Sequence, residues 1–212
     1  MSSYTPSKKS KVKRAYERGA YDHETVHRIL DAAPLCHVGY NIEGEPYVTP
    51  TIHWREGTTL YWHGSSASRM LKTVREGVPV CVTATLFDGF VMARSAFHHS
   101  ANYRCVMAFG KAVMIEDKIE KLASLKTMFD KFWPERWDEM RAVTDKELKA
   151  TLVVKMEIIE ASAKVRTGQP IDDVEDYADD IWAGILPFSH ETTTPIVDPQ
   201  LKSGIPLPDY LK

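Results

Sequence analysis

The residues best suited to binding an anion lie between positions 63 and 72. They are His63, Gly64, Ser65, Ser66, Arg69 and Lys72. The Gly and Ser residues offer backbone N–H groups and hydroxyls at the start of a predicted short helix, where the helix dipole favours negative charge. Arg69 and Lys72 are three residues apart, so both project from one face of that helix. The stretch therefore predicts a phosphate site; the alternative is an ordinary helix with a solvated basic face.

Strand-like segments flank this stretch and predict the elements that position it. Aromatic and aliphatic residues at 60–62 favour a strand before the turn, and the β-rich residues 80–83 favour a return strand after Gly77 and Pro79. Upstream, Asp22 or Thr25 can cap a helix that ends near Ala33. Strands at 35–40 and 47–54 then follow with short turns, so the first three strands predict a meander.

The second half of the chain predicts more strands and one long helix. The β pattern continues over 83–92 with a turn at Asp88 and Gly89, and a polar cluster at 98–104 precedes a strand at 105–115. Asn102, Tyr103 and Arg104 of this cluster are placed to reach a ligand on the sheet, unless they only satisfy local turn backbone.

A helix is predicted over 116–132 from an apolar stripe at three- and four-residue spacing. The stripe consists of Ile119, Leu122, Leu125, Met128 and Phe129. The aromatic residues Trp133 and Trp137 are interpreted as core, and Thr144 with Glu147 resembles a capping box. A strand over 152–159 then leads to Lys164 and Arg166, two cations on one strand face.

The ends of the chain differ in composition from its centre. Residues 1–18 are rich in Lys and small polar residues, which predicts a mobile basic tail. Residues 19–187 form the predicted domain, and the prolines of 188–212 predict an extended arm. The three cysteines Cys36, Cys81 and Cys105 lie in apolar strand-like runs, which favours reduced buried thiols over a disulfide framework or a zinc site.

The overall composition excludes several classes of function. The 212 residues are 43% hydrophobic and 26% charged with a net charge of -2, which gives no sign of a nucleic-acid binder. No apolar run approaches the roughly 20 residues of a membrane helix, and the N-terminus lacks the apolar core of a signal peptide. We therefore expect a cytoplasmic protein that contacts neither nucleic acid nor membrane.

No motif for catalysis by side chains alone is present. The sequence has no GxGxxG after a strand, no P-loop, no HExxH and no GxSxG. The adjacent residues His98 and His99 point to opposite faces of an extended segment and have no carboxylate at ligand spacing, so no metal site is expected. Any chemistry is therefore expected to be carried by a cofactor.

Five ordered segments together resemble a known family. They read YVTPTIHW, LYWHGSSASRMLK, HHSANYRCVMAFGKA, VVKMEIIEASAKVRTG and IWAGILP. In this order they resemble the pyridoxamine 5′-phosphate oxidase-like superfamily of FMN-binding split barrels, in its flavin-nucleotide-binding and nitroimidazole-resistance-like branch. The likeness runs from about Tyr21 to Pro187. It implies a mainly β (α+β) split β-barrel with a few peripheral helices, a homodimer, and FMN at the dimer interface.

The resemblance assigns cofactor-binding roles by position. The backbone of Thr49, Pro50, Thr51 and Ile52 is similar to the strand that runs along the flavin ring. The turn His63, Gly64, Ser65 and Ser66, with Arg69 and Lys72, matches the family's phosphate and ribityl site. Asn102, Tyr103 and Arg104 resemble the segment that reaches the flavin from the other subunit. Lys164 and Arg166 match a strand end that binds phosphate-bearing ligands, and Trp182 is similar to an aromatic residue that closes the pocket; otherwise it belongs to a dimer core.

The chain departs from the oxidases after its last core strand. AKVRTGQP stands where they carry an RLHDR-like sequence, which argues against pyridoxamine 5′-phosphate oxidation. The resemblance therefore implies an FMN-dependent oxidoreductase acting on an unidentified small molecule or electron acceptor, with His53 and His63 as either catalytic or FMN-binding groups. The alternatives are a non-enzymatic flavin or haem carrier, in which His98 and His99 matter more, and a dimeric interaction module that acts through its basic N-terminal tail.

Overall fold

Nine β-strands run through the part of the chain that the structure, a computed structural model, describes: residues 2–74 and 76–211. The strands are β1 (Gly19–Ala20), β2 (Leu35–Ile42), β3 (Glu45–Glu56), β4 (Thr59–Ser65), β5 (Glu76–Met92), β6 (Ser100–Met114), β7 (Thr151–Glu157), β8 (Glu160–Arg166) and β9 (Gly184–Pro187). The α-helices are α1 (His23–Ala32), α2 (Arg69–Thr73), α3 (Lys118–Phe132), α4 (Arg136–Glu139) and α5 (Asp145–Ala150). The mainly β prediction with peripheral helices is confirmed.

Six of the strands close into an antiparallel barrel. Around the ring, β2 pairs with β3, β3 with β4, β4 with β7, β7 with β6, β6 with β5, and β5 with β2. Strands β8 and β1 extend the sheet from β6, and β9 pairs with the end of β5. The predicted meander of the first three long strands, β2 to β4, is confirmed. Closure leaves few free edges, which is how an antiparallel sheet avoids pairing with other chains.

The barrel interior is filled by the inward side chains of alternating strand positions. Leu60, Trp62, Val82, Val106 and Met156 are among the members of this core. The predicted turn at Asp88 and Gly89 is wrong, because β5 continues through it with a register shift between Phe87 and Gly89. Gly89 has a φ of 149°, and a Cβ there would lie 2.5 Å from the carbonyl oxygen of Leu186. The glycine thus allows β9 to approach the bulged strand.

Helix α1 packs on the barrel as its sequence predicts. The Asp22 carboxylate accepts a hydrogen bond of 2.7 Å from the backbone N–H of Thr25 and caps the helix. Val26, Ile29 and Leu30 form its buried face. The helix contacts β3, β5, β6 and β8, so it covers the barrel core.

Helices α3, α4 and α5 cover the outer surface of the barrel near β3, β4 and β7. A second apolar cluster lies between the helices and the strands; it includes Trp54, Ile115, Leu125, Met128 and Val153. The predicted capping box of Thr144 and Glu147 is confirmed at the start of α5.

The apolar stripe predicted for α3 is only partly correct. Leu125 and Met128 are buried, but Ile119 is 80% exposed, and Lys121 is buried in its place. The Lys121 ammonium group donates to the carbonyl oxygens of Leu148 (3.4 Å) and Thr151 (3.2 Å), and these bonds offset the cost of burying its charge.

The N-terminal segment contributes to the core, contrary to the expectation that it buries nothing. Tyr4 is 6% exposed, and its hydroxyl lies 2.8 Å from Nε2 of His27. Ser10 is also buried and donates to the carboxylate of Glu160 at 2.7 Å. These contacts attach residues 2–10 to α1 and β8. The domain limits at residues 18 and 187 stay predictions.

The remaining general predictions concern the C-terminal arm, the cysteines and the membrane. Residues 188–208 are extended and exposed, and Tyr210 contacts Arg136 and Glu139 of α4. Cys36, Cys81 and Cys105 are free, with Cys36 buried and the other two half-buried. None of the helices in the described chain is both long and apolar enough to cross a bilayer.

A substitution at Gly110 tests how tightly the barrel closes. At this position β6 changes partner from β8 to β7, and a Cβ would lie 2.2 Å from the carbonyl oxygen of Glu157 and 2.6 Å from Cγ of Met156. We expect Gly110→Ala to lower the free energy of unfolding in urea by about 1–3 kcal/mol, because backbone must move to admit the methyl group. Gly39→Ala is the matched control, since its Cβ would meet nothing closer than 3.4 Å. Equal stability of both variants would contradict this account of the closure.

Candidate functional site

The strands β3 and β4 form a fork in the barrel wall. They pair only from His53 opposite Trp62 to Glu56 opposite Thr59. Beyond this point β3 continues along β2, from Ile52 to Glu45, while β4 continues along β7, from His63 to Ser65. Within the described residues, the inner edges of both strands therefore lack a strand partner. Backbone N–H and C=O groups on these two edges have no ladder partner there and are available to a ligand.

Helix α2 follows β4 and packs against β4 and β7. Ser68 caps the helix, and the backbone N–H of Ser68 donates to the carbonyl of Ser65 at 2.9 Å. The Arg69 guanidinium lies 4.5 Å from the centre of the Tyr47 ring, a cation–π contact that holds the charge over β3. Arg69 thus lies beside β3, at Tyr47. The predicted turn at 63–66 is wrong for its first three residues, because β4 continues through Ser65 and only Ser66 lies in the turn. The prediction of a helix-dipole contribution is weakened, because α2 is only 5 residues long.

Lys72 lies apart from Arg69, although both belong to α2. It lines a separate small cavity together with Ser66, Met114, Glu116 and Leu152. The two cations therefore face different surroundings, even though they are three residues apart. A shared phosphate between Arg69 and Lys72 stays a prediction.

The other predicted residues form a second group on β6 and β8. Tyr103 is the register partner of Arg166, and Cys105 that of Lys164. The Arg166 guanidinium is buried, donates to the side-chain oxygen of Asn102 and to the carbonyl of Gly168, and its pKa is lowered by burial. These bonds hold the turn after β8.

Arg104 and Lys164 also have partners within the chain. Arg104 forms a two-fold ion pair with Asp88, at 2.6 and 2.9 Å, which lowers the pKa of the Asp88 carboxyl. Lys164 donates to the carbonyl of Arg14 at 2.9 Å. In the described chain no hydrogen bond or ion pair connects this second group to the fork. Its predicted role in cofactor binding stays a prediction.

Trp182 lies at the surface before β9. Its side chain is among the exposed large apolar groups, at 66%, and its ring packs on Gly184, where a Cβ would lie 3.0 Å from the indole. It does not line the cleft of the described chain. Its predicted part in closing a pocket or in a dimer core is not tested by a single chain.

A large cavity, which we call the cap cavity, lies between the outer face of the fork and the helices α3 to α5. It has a volume of about 810 Å³. Ile52 and His63 line its barrel side. The helical side is lined by Leu125, Met128, Phe129, Trp133, Arg136, Trp137, Glu139, Met140, Arg141, Val143 and Glu147.

The helical lining of the cap cavity was not predicted as a site. The sequence interpretation of Trp133 and Trp137 as core is only partly correct, because both are half-buried and face this space. Two arginines, Arg136 and Arg141, accompany these aromatic residues within nine positions of the chain. A run of aromatics mixed with arginines after an amphipathic helix was the signal available in the sequence.

His63 and Thr151 are the polar residues on the barrel side of the cap cavity within the described chain. Its Nδ1 is buried with no hydrogen-bond partner among the described residues, and its ring lies 5.9 Å from that of Trp54. Burial lowers the pKa of the imidazole, so it is neutral near pH 7. A neutral imidazole without a protein partner is able to bind a ligand in the cavity.

His53 has a structural role, which answers one question left open by the sequence. It is fully buried, and its Nε2 lies 2.9 Å from the carbonyl oxygen of Leu30. A carbonyl only accepts, so Nε2 carries the proton and the ring ties β3 to the end of α1. Burial lowers the pKa of His53 to about 4.

His98 and His99 lie on the loop before β6. His99 Nδ1 is 2.8 Å from the carbonyl oxygen of Ser95. His98 Nε2 is 3.3 Å from the Asp173 carboxylate, and with Asp176 the possible ligand atoms of the three residues lie within 4.8 Å of one another. The expectation that no carboxylate stands near this pair is therefore wrong, because residues distant in sequence fold beside it. Neither histidine lines the cap cavity.

Comparison with known proteins places this geometry in a family. Residues 22–165, more than half of the chain, match the family described as pyridoxamine 5′-phosphate oxidase. The chain belongs to the pyridoxamine 5′-phosphate oxidase family. The match spans α1 to β8, which includes the whole barrel and the fork. The split-barrel prediction is confirmed.

Solved structures of this fold include close relatives of the chain. The flavocytochrome Anf3 from Azotobacter vinelandii is 45% identical, with a TM-score of 0.92 over 98% of this chain and 97% of that one. The FAD and haem binding protein from Mycobacterium smegmatis is 36% identical, with a TM-score of 0.86 over 91% of this chain and 95% of that one.

A more distant structure supports the predicted branch of the family. It comes from Bacteroides thetaiotaomicron and is described as a candidate 5-nitroimidazole antibiotic resistance protein. It is 26% identical, with a TM-score of 0.57 over 69% of this chain and 86% of that one. No curated protein matches the sequence.

The buried state of His53 predicts a pH dependence of stability. The unfolded chain binds a proton at His53 below pH 6.5, whereas the folded protein resists protonation until about pH 4. The contribution of neutral His53 to the free energy of unfolding is thus complete above pH 6.5. It is lost as the pH falls toward 4, which lowers the free energy of unfolding by about 3 kcal/mol in total. We expect His53→Gln, which retains a donor for Leu30, to remove this part of the pH dependence in urea unfolding. The exposed His99→Gln, on the loop before β6, serves as the control and should keep the wild-type profile.

Proposed function

We propose that the protein binds a flavin nucleotide at the fork and uses it for electron transfer. The observation that carries this proposal is the pair of unpartnered strand edges with Arg69 held over Tyr47 at their open end. A flavin has the matching parts: a flat ring with hydrogen-bonding edges, a chain of hydroxyls and a terminal phosphate. Membership of the family supports the same choice.

In the proposed arrangement each part of the flavin meets a different part of the fork. The edge of the isoalloxazine ring bonds to the backbone of Thr49–Ile52, where β3 has a free side. The ribityl hydroxyls lie near the end of β4 and Ser66. The phosphate binds the hydroxyls of Ser65 and Ser66 and the guanidinium of Arg69. A charge-assisted contact of this kind is among the stronger hydrogen bonds of proteins.

The ligand is either FMN or FAD, which share the flavin 5′-phosphate that this site would recognise. The resemblance of the sequence implies FMN, whereas the relative from Mycobacterium smegmatis is named for FAD. Mass spectrometry of the flavin released by heat distinguishes the two. Release of FMN or of FAD is compatible with a flavin site at the fork. Release of neither flavin would contradict it.

The side chains themselves support a cofactor-based redox role. Burial raises the pKa of Cys36 to about 12 and also raises the pKa values of Cys81 and Cys105, so these thiols are not nucleophiles near neutral pH. His53 is engaged with Leu30. The flavin would therefore exchange electrons with a small molecule or an electron acceptor. Oxidation of pyridoxamine 5′-phosphate is not proposed, because Arg166 is committed to the Gly168 turn.

We further propose haem as a second cofactor of the protein. The two relatives above are named a flavocytochrome and an FAD and haem binding protein, and this chain covers more than nine-tenths of each. The sequence analysis offered a haem carrier as an alternative to a flavoprotein. We propose instead that the protein binds both, with haem as the partner of the flavin in electron transfer.

A homodimer is proposed on the outer face of β2, β3, β5 and β6. Leu35 and Ile52 are register partners and are 47% and 41% exposed, Val48 is 66% exposed, and Met107 is 43% exposed. An apolar sheet face of this kind marks an interaction surface. A second copy on this face would add its own Asn102–Arg104 segment to the flavin, as the resemblance implies.

The flavin proposal is tested by the absorption spectrum of the purified protein and by the flavin affinity of a variant of Arg69. The wild-type protein should show a flavin absorption band or quench added FMN or FAD fluorescence. Arg69→Ala should weaken flavin affinity by roughly 1.5–3 kcal/mol through loss of a charge-assisted bond. Arg28→Ala removes an exposed arginine from α1 and should leave the affinity unchanged. Equal affinities for all three proteins would contradict a phosphate at Arg69.

The dimer proposal is tested by sedimentation velocity. Met107→Glu places a charge on the proposed interface and should shift the protein from dimer to monomer, because an unpaired carboxylate is costly to bury. Ile119→Glu, on the 80% exposed position of α3, is the control and should remain dimeric. A monomeric wild-type protein at micromolar concentration would be evidence against the interface.

A further inference from the structure

The cap cavity has the size and lining of a cofactor pocket. Its volume of about 810 Å³ lies within the roughly 300–1,000 Å³ of small-molecule sites. Aromatic and aliphatic side chains, among them Phe129, Trp133 and Trp137, supply most of its wall. The rings of Phe129 and Trp137 lie 5.2 Å apart in an edge-to-face arrangement, which gives the helical side a defined shape. A flat apolar molecule suits such a wall.

The only histidine in the lining of this cavity, within the described residues, is His63. Its Nδ1 is buried and unpartnered, so the Nε2 edge of the ring is the one that a molecule in the cavity can reach. The strand pairing of His63 with Val153 fixes the backbone, and Trp54 packs beside the ring. The imidazole is held neutral by burial, the state that metal ligation requires.

The rim of the cavity carries arginines suited to carboxylates. Arg136 lies 3.3 Å from the carboxylate of Glu139, and Arg141 lies 2.9 Å from that of Glu147. Both guanidinium groups line the cavity and already bind carboxylates of this chain, which a ligand carboxylate at the rim would displace. All four side chains are at least 45% exposed, so the pairs are weak and exchangeable.

We propose that the cap cavity binds a b-type haem, with Nε2 of His63 as an axial ligand of the iron and the propionates at Arg136 and Arg141. The inference rests on the haem part of the proposed function and assigns it a place and a ligand. The macrocycle would lie against the aromatic wall, and the carboxylates would remain at the solvent-exposed rim. The imidazole is among the ligands that proteins use to hold haem iron.

The proposed iron ligand His63 differs from His98 and His99, the histidines that the sequence analysis considered for a haem carrier. His98 is placed beside Asp173 and Asp176, and His99 beside the carbonyl of Ser95. Neither residue lines an apolar cavity of comparable size in the described chain. The aromatic wall and the free imidazole occur together only at His63 within that part of the chain.

The test is a titration of the full-length protein with ferric haem, followed by its Soret band. The wild-type protein should bind one haem per chain. His63→Ala should change the Soret position and weaken binding by at least the roughly 10–100-fold that loss of a residue supporting a metal ligand costs. Added imidazole should restore the wild-type spectrum of this variant by entering the vacated space. His99→Ala, the matched control, should bind haem as the wild type does.

The outcomes separate this inference from the proposed function. A wild-type protein that binds flavin but shows no Soret change overturns the haem proposal as a whole. If His63→Ala binds haem with an unchanged spectrum, the assignment of haem to the cap cavity is overturned. The same holds if haem binding is lost in His98→Ala or His99→Ala instead. Should His63→Ala lose its far-ultraviolet circular dichroism, Val143→Trp fills the cavity from its exposed rim without touching the histidine. That variant should also bind haem more weakly, and unchanged affinity would count against the cap cavity.

Discussion

The structure depends on the short pairing between β3 and β4. Only the pairs from His53–Trp62 to Glu56–Thr59 connect these strands, so the barrel closes at one end of the wall and opens at the other. Leu71 of α2 packs directly on β4 beyond this pairing, since a Cβ at Gly64 would lie 3.0 Å from its Cδ1. Backbone groups that a continuous sheet would satisfy internally are thus left for a ligand, and their desolvation cost without one is substantial.

The two proposed sites share one wall because strand residues alternate between its faces. On β3, Tyr47 meets Arg69 at the fork, whereas Ile52 lines the cap cavity on the outer side. On β4, Trp62 is in the barrel core and its neighbour His63 faces the helices. Ligands at the two sites would be separated by a single strand layer, or roughly the 10 Å at which layers pack on a sheet. That proximity suits electron transfer between two bound cofactors.

Local signals predicted much of the fold, and long-range contacts account for what was missed. The Asp22 cap and the Thr144–Glu147 capping box depend on neighbours within a few residues, so the sequence reveals both. The partner of Arg104 is Asp88 across a bulge, and Asn102 bonds to Arg166 64 positions away. Tertiary packing also decides that Lys121 is buried and Ile119 exposed, against their hydrophobicity. The cap cavity is assembled from residues of three strands and three helices that are far apart in the chain, so its shape follows from tertiary packing.

The distribution of charge suits both proposed sites to ligands with uncharged rings and anionic ends. Burial along the wall favours neutral groups: it lowers the pKa values of His53 and His63 and raises that of Cys36. Exposed cations lie at the edges of the two candidate sites, Arg69 above the fork and Arg136 and Arg141 on the cavity rim. A flat redox group therefore contacts neutral wall, while its phosphate or carboxylates stay with a guanidinium at the surface. In the proposed function, the bound cofactor therefore supplies the redox chemistry, and the wall supplies its neutral surroundings.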